Sequence, residues 1–266
     1  PGVPSEMKEM WKETAVDYIK KNFSDGSILI SSTLNFSGIG ESTISEKIDH
    51  LFKLKNPTVA PYANLGELKL RITARAKNEL EAQKIIKPVK EELKKNFSKF
   101  IFSENNEDLS SVLINELIKR KESLAFAESC TGGLLSSSIT AISGSSQVFK
   151  GSIISYSNDI KQSLLNIPEN LIEKYGAVSE EVAKNMAISA KEKLNSDWSI
   201  AISGIAGPSG GSKDKPIGLV HIAIAGPNDQ ITNIKKKFGT KRNRIEIQRL
   251  SVNVCLNRLR LILLSK

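Results

Sequence analysis

Cysteine and histidine are scarce in this chain of 266 residues, which holds two of each: Cys130 and Cys255, His50 and His221. Two cysteines are too few for a disulfide framework or a cysteine-based zinc site, so a reducing cytoplasm is the expected setting. The histidines lie far apart in sequence and no metal-ligand spacing exists, so no metal site is expected. Any run of about 18 apolar residues is also missing, which removes a membrane span from the expected architecture. The amino terminus, PGVPSEMKEMW, has neither a signal-peptide apolar core nor an initiator Met, and it reads like the middle of a longer protein. No internal repeat or low-complexity tract occurs.

Positive charge is what the chain has in excess, a formal +9. From Lys235 to the carboxyl end the only acid is Glu246, against Lys235–Lys237, Lys241, Arg242, Arg244, Arg249, Arg258 and Arg260. Nucleic acid is one partner such a tail would suit, although a Lys-rich solvated surface is the simpler account. The region reads as helix from about Arg242. Its apolar residues Ile245, Leu250, Val254, Leu256, Leu259 and Leu263 would face a core or a second copy of the chain, so a dimer is the expected oligomer.

In order, the chain opens with one amphipathic helix over Ser5–Lys21, capped by Ser5, that needs something to pack on. From about Ser27 the pattern is strand, helix (Ser42–Phe52), strand (Glu67–Ala76), helix (Asn78–Lys95) and a short strand at Phe100–Phe102. The alternation Leu68, Leu70, Ile72, Ala74 marks a half-buried strand. These residues form a small α+β unit with the element order of nucleic-acid-binding KH modules, but the GxxG that defines RNA binding there is absent. The turn Gly38-Ile39-Gly40 before a helix is a weak phosphate signal. A polar stretch at 103–106 marks a boundary. Beyond it, alternating helices and strands predict an α/β layered sheet with helices on its faces. The expected domains are thus 1–25, 26–104 and 105–266.

The chemistry gathers in LAFAESCTGGLL, Leu124 to Leu135. Leu124–Ala127 reads as a buried parallel strand, and Thr131-Gly132-Gly133 opens a helix continuing through Ile139 and Ile142. Glu128, Ser129, Cys130 and Thr131 therefore sit at the carboxyl end of a strand, where open α/β sheets bind ligands. The glycines admit a ligand to the backbone, and the N–H groups of a helix start favour an anion. Nucleophilic hydrolysis needs a nucleophile, a base, an acid for the leaving group and donors for the oxyanion. No His–Asp pair is available, but Ser with Lys is a known substitute. If the strand ending at Tyr156 neighbours Leu124–Ala127, then Lys161 and Tyr156 converge on the Ser129 turn, where a desolvated Lys161 amine serves as base. Cys130 is the rival nucleophile. Glu128 is a candidate for a ribose hydroxyl or for pairing with a backbone donor. The loop Ser203 to Gly211, with Gly204, Gly207, Gly210 and Gly211, forms a nest of N–H groups for substrate, and Arg242 offers a guanidinium to a phosphate. His221 reads as structural.

AESCTGG (Ala127–Gly133), YSN (Tyr156–Asn158) with Lys161, YGAVSEE (Tyr175–Glu181), SGIAGPSGG (Ser203–Gly211) and KPIG (Lys215–Gly218) resemble the CinA family of competence-damage-inducible proteins. The stretches GIGES (Gly38–Ser42), NPTVAPYA (Asn56–Ala63) and LGELKLRITARA (Leu65–Ala76) resemble that family's middle, KH-like domain. PGVPSEM (Pro1–Met7) is similar to the last loop and helix of its molybdopterin-binding-like first domain. The resemblance implies a nicotinamide mononucleotide deamidase without a cofactor, with Ser129, Tyr156 and Lys161 catalytic and a small nucleotide as substrate. It also implies that a metal-dependent ADP-ribose pyrophosphatase activity belongs to the missing first domain. The alternative is a non-catalytic competence or DNA-damage protein that binds nucleic acid or acts as a scaffold.

Overall fold

The computed structural model describes residues 2–23 and 25–265; Pro1, Ser24 and Lys266, which fall within the outer expected domains, lie outside it. The chain begins with a helical rod: α1 (Pro4–Met10), a π-helical stretch (Trp11–Ala15) and α2 (Val16–Phe23). Its first turn is capped by Val3 without a side-chain bond, so Ser5 lies inside the helix instead of capping it. No residue of the rod is buried, and Met10, Trp11, Tyr18 and Phe23 are all exposed. The expected packing surface for its apolar stripe is not found among the described residues.

The next unit contains β1 (Ile28–Ser37), α3 (Glu41–Phe52), β2 (Thr58–Asn64), β3 (Glu67–Ala76), α4 (Glu79–Phe97) and β4 (Ile101–Ser103). Its antiparallel sheet has the order β2-β3-β1-β4. Leu68, Leu70, Ile72 and Ala74 alternate inward with Leu34 and Phe36, and they meet Ile44, Ile48 and Leu51 of α3 and Ile86, Val89 and Leu93 of α4. The sequence reading missed β2. Its segment carries Pro61 and is mostly exposed, which fits an edge strand paired on one side only. The cap of α3 is Gly40, two residues ahead of the expected Ser42.

The larger unit follows with α5 (Leu109–Arg120), β5 (Leu124–Glu128), α6 (Leu134–Thr140), β6 (Phe149–Ile154), α7 (Asn158–Leu165), α8 (Glu169–Tyr175), α9 (Glu180–Lys193), β7 (Trp198–Gly204), β8 (Leu219–Ala225), β9 (Ile231–Lys237) and α10 (Arg244–Leu264). The sheet order is β6-β5-β7-β8-β9, parallel across the first three strands and antiparallel across the last three. Strand β5 is buried at every position. On one face of the sheet Leu124, Phe126, Trp198, Ile200 and Ile202 pack with residues of α5, α6 and α10. On the other face Ala127, Ala201 and Ala223 meet Ala183, Met186 and Ala187 of α9. Small residues there let α9 lie close to the strands. Helix α8 also went unread; it follows a break where Asn166 takes a left-handed φ of 52° and Pro168 caps the next turn.

Helix α10 joins the two units. Of its apolar residues, Leu256, Leu259 and Leu263 are buried in the larger unit's own core, while Ile245 is exposed. From α10, Arg260 donates to the carbonyls of Ile101 (3.3 Å) and Lys99 (3.2 Å) and to Asn257 Oδ1 (2.9 Å). Asn253 Nδ2 donates to the Leu65 carbonyl at 2.7 Å. No helix among the described residues is long and apolar enough to cross a membrane.

Candidate active site

Strand β5 ends at Glu128, and the chain then turns sharply through Ser129–Gly133 before α6 begins at Leu134, three residues later than expected. Gly132 (φ 58°) and Gly133 (φ 101°) make that turn possible, since a side chain is strained in this region. The Ser129 N–H donates to the Ile202 carbonyl of β7 at 3.1 Å, which fixes the serine at the strand end. Strand β6 pairs beside β5, so α7, which follows β6, starts next to Ser129. Ser157 caps α7, accepting from the Ile160 N–H at 3.3 Å. Lys161, on the first turn of that helix, is 1 % exposed.

The Lys161 amine makes three contacts: Ser129 Oγ at 3.2 Å, the Ser155 carbonyl at 2.7 Å and the Tyr156 carbonyl at 3.3 Å. Burial pushes its pKa below the usual lysine range, and the smaller influence of Cys130 acts the other way. Both carbonyls are acceptors only, so in the neutral form of the amine they orient its two N–H bonds. The remaining tetrahedral direction, the lone pair, then faces the Ser129 hydroxyl. This is the geometry a proton acceptor requires. Cys130 offers no comparable nucleophile. It is 4 % exposed, and burial pushes its thiol pKa up to about 12.

Ser129, Cys130, Tyr156, Lys161, Ser203, Gly204, Gly207 and Gly210 line one cleft of about 230 Å³. Across from Ser129 the cleft is walled by the loop after β7, where the N–H groups of Ala206, Gly207, Ser209 and Gly210 have no acceptor among the described residues. Gly204 is required by close approach: a Cβ there would stand 2.7 Å from Val220 Cγ2 and 3.0 Å from the Leu219 carbonyl oxygen. Ser203 lines the cleft, but its hydroxyl donates to the Ala177 carbonyl at 2.6 Å.

Several expected members lie elsewhere. Glu128 is wholly buried, and its carboxylate accepts from the N–H groups of Gly133 (3.0 Å), Leu135 (3.1 Å) and Ser136 (2.9 Å) and from Ser136 Oγ. The anion expected at the start of α6 is therefore the chain's own side chain, and Glu128 is not available to a ribose hydroxyl. Thr131, Gly132, Gly133 and Gly211 do not line the cleft. Arg242 is absent from it as well; its guanidinium bonds the Phe238 carbonyl.

The arginine that does reach the cleft is Arg244, which the sequence reading counted only as tail charge. Its Nη1 donates to the Gly207 carbonyl at 2.9 Å and its Nη2 to Tyr156 Oη at 2.6 Å. The Tyr156 hydroxyl thus faces arginine, while the residue meets Lys161 through its backbone carbonyl. The signal for Arg244 was Asn243-x-x-Glu246, a capping box that sets Arg244 on the first turn of α10 at the cleft. Gln248, one turn on, donates to the Cys130 carbonyl at 2.7 Å and holds the serine turn against the helix.

Comparison with known proteins identifies the family of the chain. The family model of the CinA C-terminal domain matches residues 106–263, and that of the damage-inducible protein CinA KH domain matches residues 31–103. A CinA-like protein of Prochlorococcus marinus strain MIT 9515 is 81% identical over 266 residues, all of this chain and 61% of the relative. Another, from Gloeothece citriformis, is 46% identical across the whole chain and 64% of its own length. The chain therefore spans less than two thirds of these relatives. Among solved structures, the competence/damage-inducible protein CihA of Agrobacterium tumefaciens is 35% identical, with a TM-score of 0.57 over 59% of this chain and 94% of that one. A CinA superfamily protein of Escherichia coli is 33% identical, with a TM-score of 0.56 over 59% and 89% of the two chains. With its matched model covering more than half of its residues, the chain belongs to the CinA family.

Proposed function

We propose that the cleft hydrolyses the carboxamide of nicotinamide mononucleotide to nicotinate mononucleotide and ammonia. The observation that carries this reading is the Lys161 amine, buried, held by two carbonyls and 3.2 Å from Ser129 Oγ. Ser129 Oγ attacks the carboxamide carbon and its proton passes to Lys161. The oxyanion is met by N–H groups of the 206–210 loop. Collapse breaks the C–N bond, and the proton on Lys161 leaves with ammonia. Water then attacks the Ser129 ester, giving one proton to Lys161, which returns it to Ser129 as the carboxylic acid departs. Every proton is carried by one amine, so the scheme calls for no metal or cofactor.

A cleft of about 230 Å³ suits the pyridine carboxamide, with ribose and phosphate reaching outward along Tyr156 and Arg244. The guanidinium of Arg244, held by the Gly207 carbonyl and the Tyr156 hydroxyl, is the group assigned to the phosphate in this reading. Ammonia release from nicotinamide mononucleotide by the purified chain tests the reading. Release that disappears in Ser129→Ala supports it. A folded wild-type chain that releases none, or a Ser129→Ala protein of full activity, contradicts it.

A further inference from the structure

A cavity of about 780 Å³ lies where the KH-like unit meets α10 and β9, and it shares no lining residue with the Ser129 cleft. Its size is ordinary for a small-molecule site. On the KH-like side it is built by the turn Gly38-Ile39-Gly40 and the start of α3. That helix has twelve residues, and Gly40 supplies no side-chain cap. The N–H groups of Glu41, Ser42 and Thr43 therefore have no partner inside the helix and none from a cap.

Two buried side chains add unused donors. Ser37 is 3 % exposed and lines the cavity, and its hydroxyl has no partner among the described residues. Asn257 is 8 % exposed; its Oδ1 accepts from Arg260, but its Nδ2 has no acceptor and stands 3.0 Å from where a Cβ of Gly38 would be. Gly38, at φ 81°, thus brings the turn close to the Asn257 amide. Neither Ser37 Oγ nor Asn257 Nδ2 is sealed from the cavity, so both are open donors that an acceptor bound there can meet.

The charged lining agrees. Lys235, Lys236, Arg242 and Arg258 stand against Glu41 and Glu67, and none of these four cations has a carboxylate within 4.0 Å among the described residues. Leu250, Val254 and Leu261 of α10 supply an apolar wall. We propose that this cavity binds a phosphate monoester of nucleotide size, its phosphate on the Gly38–Gly40 turn and its less polar body against α10. The site is separate from the amide chemistry at Ser129 and does not depend on it.

Hydrogen exchange of the full chain with adenosine monophosphate as probe tests the site. Slowed exchange at residues 37–43 and 253–258 is expected, and the double variant K236E/R258E, changed at exposed positions, should weaken binding by about tenfold or more. Ser37→Ala should weaken it while leaving the melting temperature near that of the parent. Protection confined to 129–133 and 203–210, no protection at millimolar probe, or equal affinity in the double variant overturns the proposal. So does protection by a single-stranded RNA where the mononucleotide gives none.

Discussion

A lysine amine that leans on two carbonyls has one direction left, and in this protein that direction holds Ser129. The pH dependence follows from the lowered Lys161 pKa. The base is active only when neutral, so kcat/KM should rise with pH through a midpoint below the usual lysine value and then level. Lys161→Met, which keeps the length and removes the amine, should lower kcat by about 10² to 10⁴ and abolish that rise. A stability effect accompanies it. Between the lowered folded pKa and the ordinary lysine value, the unfolded chain binds more protons than the folded one, so stability should grow as pH rises across that window. Thermal melts of wild type against Lys161→Met, compared across alkaline pH, read this difference.

Glu128 is the second residue whose environment dictates an outcome. Its carboxylate answers three N–H groups and a hydroxyl at the start of α6. In Glu128→Gln an NH₂ group replaces one acceptor oxygen and faces donors, so a loss of about 1–3 kcal/mol is expected in denaturant unfolding. Because the same turn carries Ser129, activity should fall with it.

At the scale of elements, the cleft is made by strand ends and helix starts, and these are where sequence patterns were least informative. The apolar run of β5 and the YSN–Lys161 spacing were legible, because buried strands and capped helices leave local marks. Strand β2 was not, since Pro61 and an exposed face hide an edge strand. Arg244 was not singled out, since only the Asn243 cap fixes the start of α10 and so selects Arg244 over Arg242 for the cleft. Asn243→Ala should cost about 1 kcal/mol by losing the capping box, and the looser helix start should raise KM for a phosphate-bearing substrate more than it lowers kcat. Gly204→Ala is expected to be harsher. Its methyl would meet Val220 and the Leu219 carbonyl, forcing the β7 end to move, for a loss of about 1–3 kcal/mol in unfolding experiments together with activity.

Across the whole molecule, two units with separate cores are joined through α10, which touches both the Ser129 turn and the KH-like unit. The mixed α/β character of both units was readable from strand and helix patterning. The joint was not, because it includes Arg260, a buried cation whose partners in the smaller unit are backbone carbonyls without a sequence signature. Arg260 places the Gln248 and Arg244 end of the same helix in fixed relation to the smaller unit. Leu256, Leu259 and Leu263 of α10, which the sequence offered to a core or a partner, pack into the larger unit's own core.

The proposed reaction turns on an ester forming at Ser129. Mass spectrometry of the chain quenched during turnover of nicotinamide mononucleotide, followed by peptide mapping, looks for that ester directly. The expected result is an acyl group on the peptide containing residues 124–135, localised to Ser129 and absent in Ser129→Ala. An acyl group localised to Cys130, or turnover that persists in Ser129→Ala, would contradict it.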